Sequence, residues 1–205
     1  LSFKPYPTCR WTHSSIDASL QIVNEIDFPL EDIKKINVKL SRQAYEATCQ
    51  PLKIKQEPPT VVDAQFSVPY ALAVALIKGD VSPEYFTQEA IRDPIVLGLA
   101  GKVYPAVAPE FEKTTSKREI TPAIVEIIRK NGKTYAKKVN FSKGNPLNPM
   151  SMQELKDKFK KCLKWSRKYL TENKTNEIIS NIDHLERDEN VGCILPYLNQ
   201  KGSKE

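Results

Sequence analysis

Lys4, Arg10 and His13 stand just ahead of Ser14-Ser15-Ile16-Asp17, a stretch that fits the S-x-x-D capping box at a helix start. The first turn of a helix carries unpaired N–H groups and a partial positive charge, so it attracts anions. Arg10 and His13 together with those N–H groups could fork a carboxylate or a phosphate. The same dipole would hold His13 neutral near pH 7, fit for hydrogen bonding or proton transfer. The more ordinary account of the same residues is a satisfied loop histidine beside two solvated cations. A second candidate is Gln65-Phe66-Ser67-Val68-Pro69-Tyr70, which puts an amide, a hydroxyl and a phenol where an apolar helix begins. A buried tyrosine normally finds a partner for its O–H, so this feature on its own is more often structural. A third is the lysine-rich stretch 151–170, with Lys156, Lys158, Lys160, Lys161, Lys164, Arg167 and Lys168 against Glu154 and Asp157. It could lie on nucleic acid or an anionic surface. Its aromatics do not interleave with its charges, which favours a solvated face.

Metal chemistry has little to work with. Cys9, Cys49, Cys162 and Cys193 are far apart, and His13 and His184 are the two histidines. No C-x-x-C or H-x-x-x-H spacing occurs, so no structural zinc site is expected. Widely spaced cysteines in a chain of 205 residues read as reduced thiols in a cytosol-like compartment. The net charge of +6 favours anionic partners without naming one. The longest apolar run, 68–77, is about half of what a bilayer span needs, and no secretory start opens the chain. The first residue is Leu1 and not Met, which suggests a fragment or a processed product.

These side chains must be positioned by an α+β scaffold. Residues 1–9 read as extended chain. A helix follows from Ser14, with Ile16, Leu20, Val23 and Ile26 on one face, and Phe28-Pro29 ends it. Residues 33–40 alternate Ile36, Val38 and Leu40 against Lys35, Asn37 and Lys39, the pattern of a half-buried strand. Residues 50–59 read as loop. Thr60 and Ser67 are helix N-caps, and the helix over 68–77, apolar nearly all round, is central and buried. Two short helices are expected in 84–101, the second opened by Asp93-Pro94. Asn131-Gly132 between strand-like runs over 119–141 predicts a hairpin with a two-residue type I′ turn. Placing Lys130 opposite Lys133 pairs Ile128 with Tyr135, Glu126 with Lys137 and Ile124 with Val139. The Gly/Pro/Asn stretch 142–150 is a linker. Ser151 then caps a helix whose stripe is Met152, Leu155, Phe159, Cys162, Leu163 and Tyr169. A second helix is expected over 174–187, and 193–198 is a short apolar tail. The expected division is an α+β lid, residues 1–145, and C-terminal helices, residues 146–205, with a small antiparallel or mixed sheet in the first. An exposed apolar patch on the tail helices would favour self-association.

Three segments carry a family resemblance. KPYPTCRWTHSSIDA, residues 4–18, resembles the K-P-Y-P-x-C-R-x-x-H-x-x-I-D-A segment of the MmgE/PrpD family. QFSVPYALAVAL, residues 65–76, resembles its F-S-x-P-Y-A-L-A-x-A-L segment. KGNPLNPMSMQELKDKF, residues 143–159, resembles its K/R-G-x-P-x-N-P-x-[ST]-x-x-E-L-x-x-K-F segment. They occur in family order with family-like spacing. That family includes 2-methylcitrate dehydratase, cis-aconitate decarboxylase and iminodisuccinate epimerase.

The resemblance implies the C-terminal part of a metal-independent lyase without cofactor: a lid domain, then helices that return to an N-terminal helical domain of the same enzyme. The active site would lie in the cleft between the domains, and the family's acidic and histidine-bearing catalytic segment belongs to the N-terminal half. The implied substrate is a 2-hydroxy tricarboxylate such as 2-methylcitrate, the implied assembly a homodimer, and the implied compartment the cytoplasm or, in a eukaryote, the mitochondrial matrix. Neither nucleic acid nor a membrane is an expected partner. Dehydration removes a proton alpha to a carboxylate and expels hydroxide, so it needs a base, an acid and charge stabilisation. Lys4, His13 and Tyr70 fall on the family's lysine, histidine and tyrosine. His13 and Tyr70 are then the catalytic candidates, and Lys4, Arg10 and Ser67 the substrate-binding ones. Cys9 stands where some decarboxylase members carry histidine, which favours the dehydratase-like branch. The competing class is a non-catalytic basic α+β module that binds nucleic acid or a protein, which steep salt dependence would reveal.

Overall fold

The alternation at 33–40 does form a strand, because Ile33, Ile36, Val38 and Leu40 bury themselves while Lys34 and Lys39 stay in solvent. This strand, β1 (Ile33–Leu40), is the second of four in a mixed sheet. The computed structural model describes residues 1–112, 121–166, 170–187, 190 and 192. They fold as α+β, and the chain divides into two compact units, residues 1–150 and 151–205. The apolar tail 193–198, Tyr169, Arg167, Lys168 and the start of the hairpin run at 119–120 lie outside the described residues.

In the first unit the elements run α1 (His13–Glu25), β1, α2 (Arg42–Cys49), α3 (Leu52–Gln56), α4 (Val61–Gln65), α5 (Val68–Lys78), α6 (Pro94–Ala100), β2 (Val103–Val107), α7 (Pro109–Glu112), β3 (Ala123–Arg129) and β4 (Thr134–Val139). The sheet order is β2-β1-β3-β4. β1 pairs parallel with β2 and antiparallel with β3, and β3 pairs antiparallel with β4. Two parallel neighbours need a crossover, and α2 to α6 supply it. β2 carries Pro105, which cannot donate to a ladder, so its place at the sheet edge is the one proline tolerates. This strand, α2 and α3 were not expected from the sequence, which had 50–59 as loop.

The core is built on α5. Every residue of this helix from Val68 to Leu76 is buried. Ser67 caps it by accepting the Tyr70 N–H at 3.0 Å, Pro69 occupies its first turn, and Gly79 closes it at φ 63°. α5 packs against α1 and α6, and α1 lies across β3 and β4.

Two expectations need correction. The first concerns the capping box at Ser14. A 3₁₀ turn, Arg10–Thr12, precedes α1, so the helix begins at His13 and runs to Glu25. Thr12 N–H bonds the Cys9 carbonyl at 3.0 Å and His13 N–H bonds the Arg10 carbonyl, which occupies the donors an anion would have used. Asp17 does not reach back to Ser14, because its carboxylate is held elsewhere. The second concerns the hairpin. Ile127 pairs with Tyr135, Val125 with Lys137 and Ala123 with Val139, one residue away from the expected register. The loop has three residues, 130–132: Gly132, at φ 83°, donates to Arg129 O at 3.0 Å, and Arg129 N donates to Lys133 O at 2.9 Å. Asn131 is not at positive φ, as type I′ would require. A one-residue slip turns a strand over. In the observed register Val139 is buried, and Tyr135 stacks on Phe28 with centroids 5.6 Å apart, on the face that carries Ile36, Val38 and Leu40. The expected register would have turned both side chains out of the core.

The 142–150 stretch is a tightly bonded loop. Ser142 and Asn145 are buried, Gly144 N donates to Asn148 O at 2.9 Å, and the Asn148 amide donates to Phe141 O at 2.9 Å. In the second unit, Ser151 and Glu154 form the expected capping box of α8 (Met152–Leu163). Thr171 caps α9 (Glu172–Asp183), and Lys156 pairs with Asp183. Met152, Trp165 and Ile182 are exposed there.

Gly144 is at φ 83°, and a Cβ built on it would stand 2.2 Å from the Phe3 carbonyl oxygen. Gly144→Ala is therefore expected to lower unfolding free energy in urea by more than about 2 kcal/mol, combining left-handed backbone strain with a clash. Gly79→Ala, strained at φ 63° but with nothing within 4 Å, should cost only about 1 kcal/mol.

Candidate functional site

The extended start of the chain and the Arg10–Thr12 turn are pinned between α4 and the 142–148 loop. Cys9 N–H donates to Gln65 O at 2.8 Å, and Phe3 N–H donates to Gly144 O at 2.9 Å. Arg10 Nη1 donates to Phe3 O at 3.2 Å and to Lys143 O at 3.3 Å, and stands 3.5 Å from His13 Nδ1. Asp17 holds the same loop from its other side. Its Oδ2 accepts the Lys143 N–H at 2.6 Å, and its Oδ1 accepts the Tyr6 hydroxyl at 2.5 Å. These bonds draw together residues 4–18, 65 and 143–148.

His13 is fully buried. A guanidinium only donates and a carbonyl only accepts. With Arg10 at Nδ1 and the Thr8 carbonyl 3.4 Å from Nε2, the ring is the Nε2–H tautomer, and both nitrogens are engaged. Burial, and then the Arg10 charge, push its pKa down to about 3, against the opposing pull of the Thr8 carbonyl. Tyr6 closes the ring's side, edge to face, with centroids 5.2 Å apart. Asp17 is shifted the other way. Burial raises its carboxyl pKa, although Tyr6, the Lys143 N–H and Arg10 all favour the ionised form. Lys4 is exposed, and its charge also bears on His13.

Arg10 stands beside His13, and Lys4 acts on the imidazole through its charge. Ser67 and Tyr70 are placed differently. Ser67 is buried, accepts from Tyr70 N and donates its hydroxyl hydrogen to Lys55 O. Tyr70 is fully buried, and its hydroxyl reaches Tyr85 O at 2.8 Å and Ala90 O at 3.1 Å. Burial, with Asp93 nearby, raises its pKa to about 12. The family resemblance implied a catalytic phenol at this position, while the residues alone favoured a structural one. In the structure the phenol ties α5 to the two segments that follow it, because a hydroxyl carried into an apolar core needs acceptors. Asp17 and the Lys143 loop were missed as site residues. The pattern I-D-A and the Gly144-Asn145 turn were visible, but they read as a cap and a linker.

Among the described residues no group of three or more His, Cys, Asp or Glu side chains could hold a metal ion. No helix there is long and apolar enough to cross a membrane. What the cluster offers chemically is positive charge beside a neutral, hydrogen-bonded imidazole.

The fold and cluster define an α+β domain with a cationic site at its N-terminal turn. The sequence model of the MmgE/PrpD C-terminal domain matches residues 6–185, and the chain belongs to the MmgE/PrpD family. No curated protein matches the chain.

Two outcomes follow from these placements. His13 has a native pKa below its ordinary 6.5, so its contribution to stability is complete above pH 6.5 and is lost as pH falls toward about 3. Asp17, whose pKa is raised, acts in the opposite sense, so the two must be separated by a variant. In urea titrations across this window, wild type should lose up to about 1.4 kcal/mol per pH unit more than His13→Gln does. Tyr70→Phe should lower stability by about 1–2 kcal/mol, since the Tyr85 and Ala90 carbonyls lose the one O–H they share. An unchanged melting temperature would take the hydroxyl out of the core.

Proposed function

We propose that the chain is the lid part of a metal-independent lyase that dehydrates a 2-hydroxy tricarboxylate such as 2-methylcitrate. One observation supports this reading: among the described residues, the charges of Lys4, Arg10 and Lys143 act on the buried His13 and Asp17 of one turn, and burial raises the Asp17 carboxyl pKa. Such a site suits a polyanion of small size. Lys4, exposed at its edge, takes a substrate carboxylate. Arg10, held by two backbone carbonyls, supplies a fixed positive charge. His13 acts through Arg10 as a positioning residue in this geometry, since neither ring nitrogen is open to a ligand.

In the reaction the C–H bond alpha to a carboxylate breaks, its electron pair forms the C=C bond, and the C–O bond breaks with a proton delivered to the departing hydroxide, which leaves as water. Cationic groups lower the barrier by stabilising the enolate-like charge. The base and acid of this scheme belong to the family's N-terminal helical domain, which in this reading meets the 146–205 helices and closes over the substrate. A homodimer in the cytoplasm or the mitochondrial matrix completes the proposal.

Calorimetric titration of the 205-residue chain tests it. The chain should bind 2-methylcitrate without turning it over, and Lys4→Ala should weaken binding about tenfold, equivalent to about 1.4 kcal/mol. Binding should change little between low and physiological salt. No binding of 2-methylcitrate, or tight and steeply salt-dependent binding of DNA, would instead favour a basic nucleic-acid module.

A further inference from the structure

Lys4 is exposed, yet the backbone on either side of it is held. Before it, Phe3 N–H donates to Gly144 O at 2.9 Å. The Phe3 carbonyl, in the peptide that leads into Lys4, accepts Arg10 Nη1 at 3.2 Å. After Lys4 stands Pro5, whose ring fixes its own φ and biases the residue before it to extended backbone. Tyr6 follows, and its hydroxyl donates to Asp17 Oδ1 at 2.5 Å.

Asp17 reaches Lys4 by two routes. One is Tyr6, two residues further along the chain. The other runs through the 142–148 loop. Asp17 Oδ2 accepts the Lys143 N–H at 2.6 Å, the Lys143 carbonyl accepts Arg10 Nη1 at 3.3 Å, and the Gly144 carbonyl accepts the Phe3 N–H. That loop is closed on itself by Gly144 N to Asn148 O at 2.9 Å and Asn145 N to Ser142 O at 3.1 Å, so fixing one of its N–H groups places the rest. Asp17 has 7% of its surface exposed. A carboxylate in so dry a place destabilises the fold unless its bonds offset the lost hydration. Both of these bonds leave α1, and they end on the two segments that flank Lys4 or hold Arg10.

We propose that Asp17 is a positioning residue: by clamping Tyr6 and Lys143 it sets where the Lys4 ammonium meets a carboxylate of the ligand. This rests on the function proposed above. The sign of the effect separates a clamp from a mere charge. A carboxylate beside an anion site repels the anion, so an Asp17 that acted by charge would weaken binding, and its removal would tighten it. A clamp acts the other way, because a Lys4 segment left loose must be ordered when the ligand arrives.

The test titrates 2-methylcitrate into the 205-residue chain, into Asp17→Ala, Asp17→Asn and Lys4→Ala, and into the variant that combines Asp17→Ala with Lys4→Ala. Asp17→Ala should weaken binding about three- to tenfold, and no further than Lys4→Ala does, because it acts through Lys4. With Lys4→Ala already present, it should cost less than about twofold. Asp17→Asn keeps an acceptor for the Lys143 N–H and should recover most of the loss. Equal losses with and without Lys4 would overturn the positioning role and leave the proposed function standing. Tighter binding by Asp17→Ala, a lowered melting temperature with unchanged affinity, or an Asp17→Asn as weak as Asp17→Ala would do the same. Absence of any 2-methylcitrate binding to wild type, or binding indifferent to Lys4→Ala, would overturn both. Should Asp17→Ala not fold, amide hydrogen exchange of wild type decides. Coupling between two sites is reciprocal, so 2-methylcitrate must slow exchange at the Lys143 N–H, and an unchanged rate overturns the proposal.

Discussion

The guanidinium of Arg10 sets what the neighbouring groups can be. It only donates, so every group it meets must accept: the Phe3 and Lys143 carbonyls and the Nδ1 of His13. That requirement fixes the imidazole tautomer and turns Nε2–H toward Thr8. It also brings the chain start and the 142–148 loop to one point, where Asp17 takes the Lys143 N–H from the other side. Groups in such a low-dielectric network are costly when unpaired and mutually reinforcing when satisfied. The network therefore holds its members in one arrangement.

A different set of hydroxyls is given over to the scaffold. Ser67 and Tyr70 lie on the same short stretch as the family motif, and both are spent on backbone groups: Tyr70 N–H and Lys55 O for Ser67, Tyr85 O and Ala90 O for Tyr70. α5 is apolar nearly all round, so any polar atom on it must find a partner inside the protein. The outcome is a rigid central helix whose start carries the Gln65 carbonyl that anchors Cys9. The site thus rests on a stiff element, which keeps positioned charges accurate.

His13 and Asp17 lie one helical turn apart, and burial drives their titrations in opposite directions, the imidazole down and the carboxyl up. Both shifts favour the neutral forms. Among the described residues, the charges of Arg10 and Lys4 act on His13, and those of Arg10 and Lys143 on Asp17.

What the sequence determined by itself was local. The alternation of Ile36, Val38 and Leu40, the caps at Thr60, Ser67, Asp93 and Ser151, and the apolar run of α5 all depend on residues a few positions apart, whose geometry the helix or strand period dictates. The nearness of Lys4, Arg10 and His13 was also readable, since they share one short segment. The tertiary structure alone decided the hairpin register, because a slip of one residue is settled by which face Tyr135 and Val139 can bury. It decided the edge strand around Pro105, which no alternation announced. It decided that Asp17 is a loop anchor and not a helix cap, through a bond to a residue 126 positions away. And it decided that Tyr70 serves the core, since its acceptors are carbonyls 15 and 20 residues on. A polar side chain shows its type in sequence but not its partner, and in a dry interior the partner determines what the group can do.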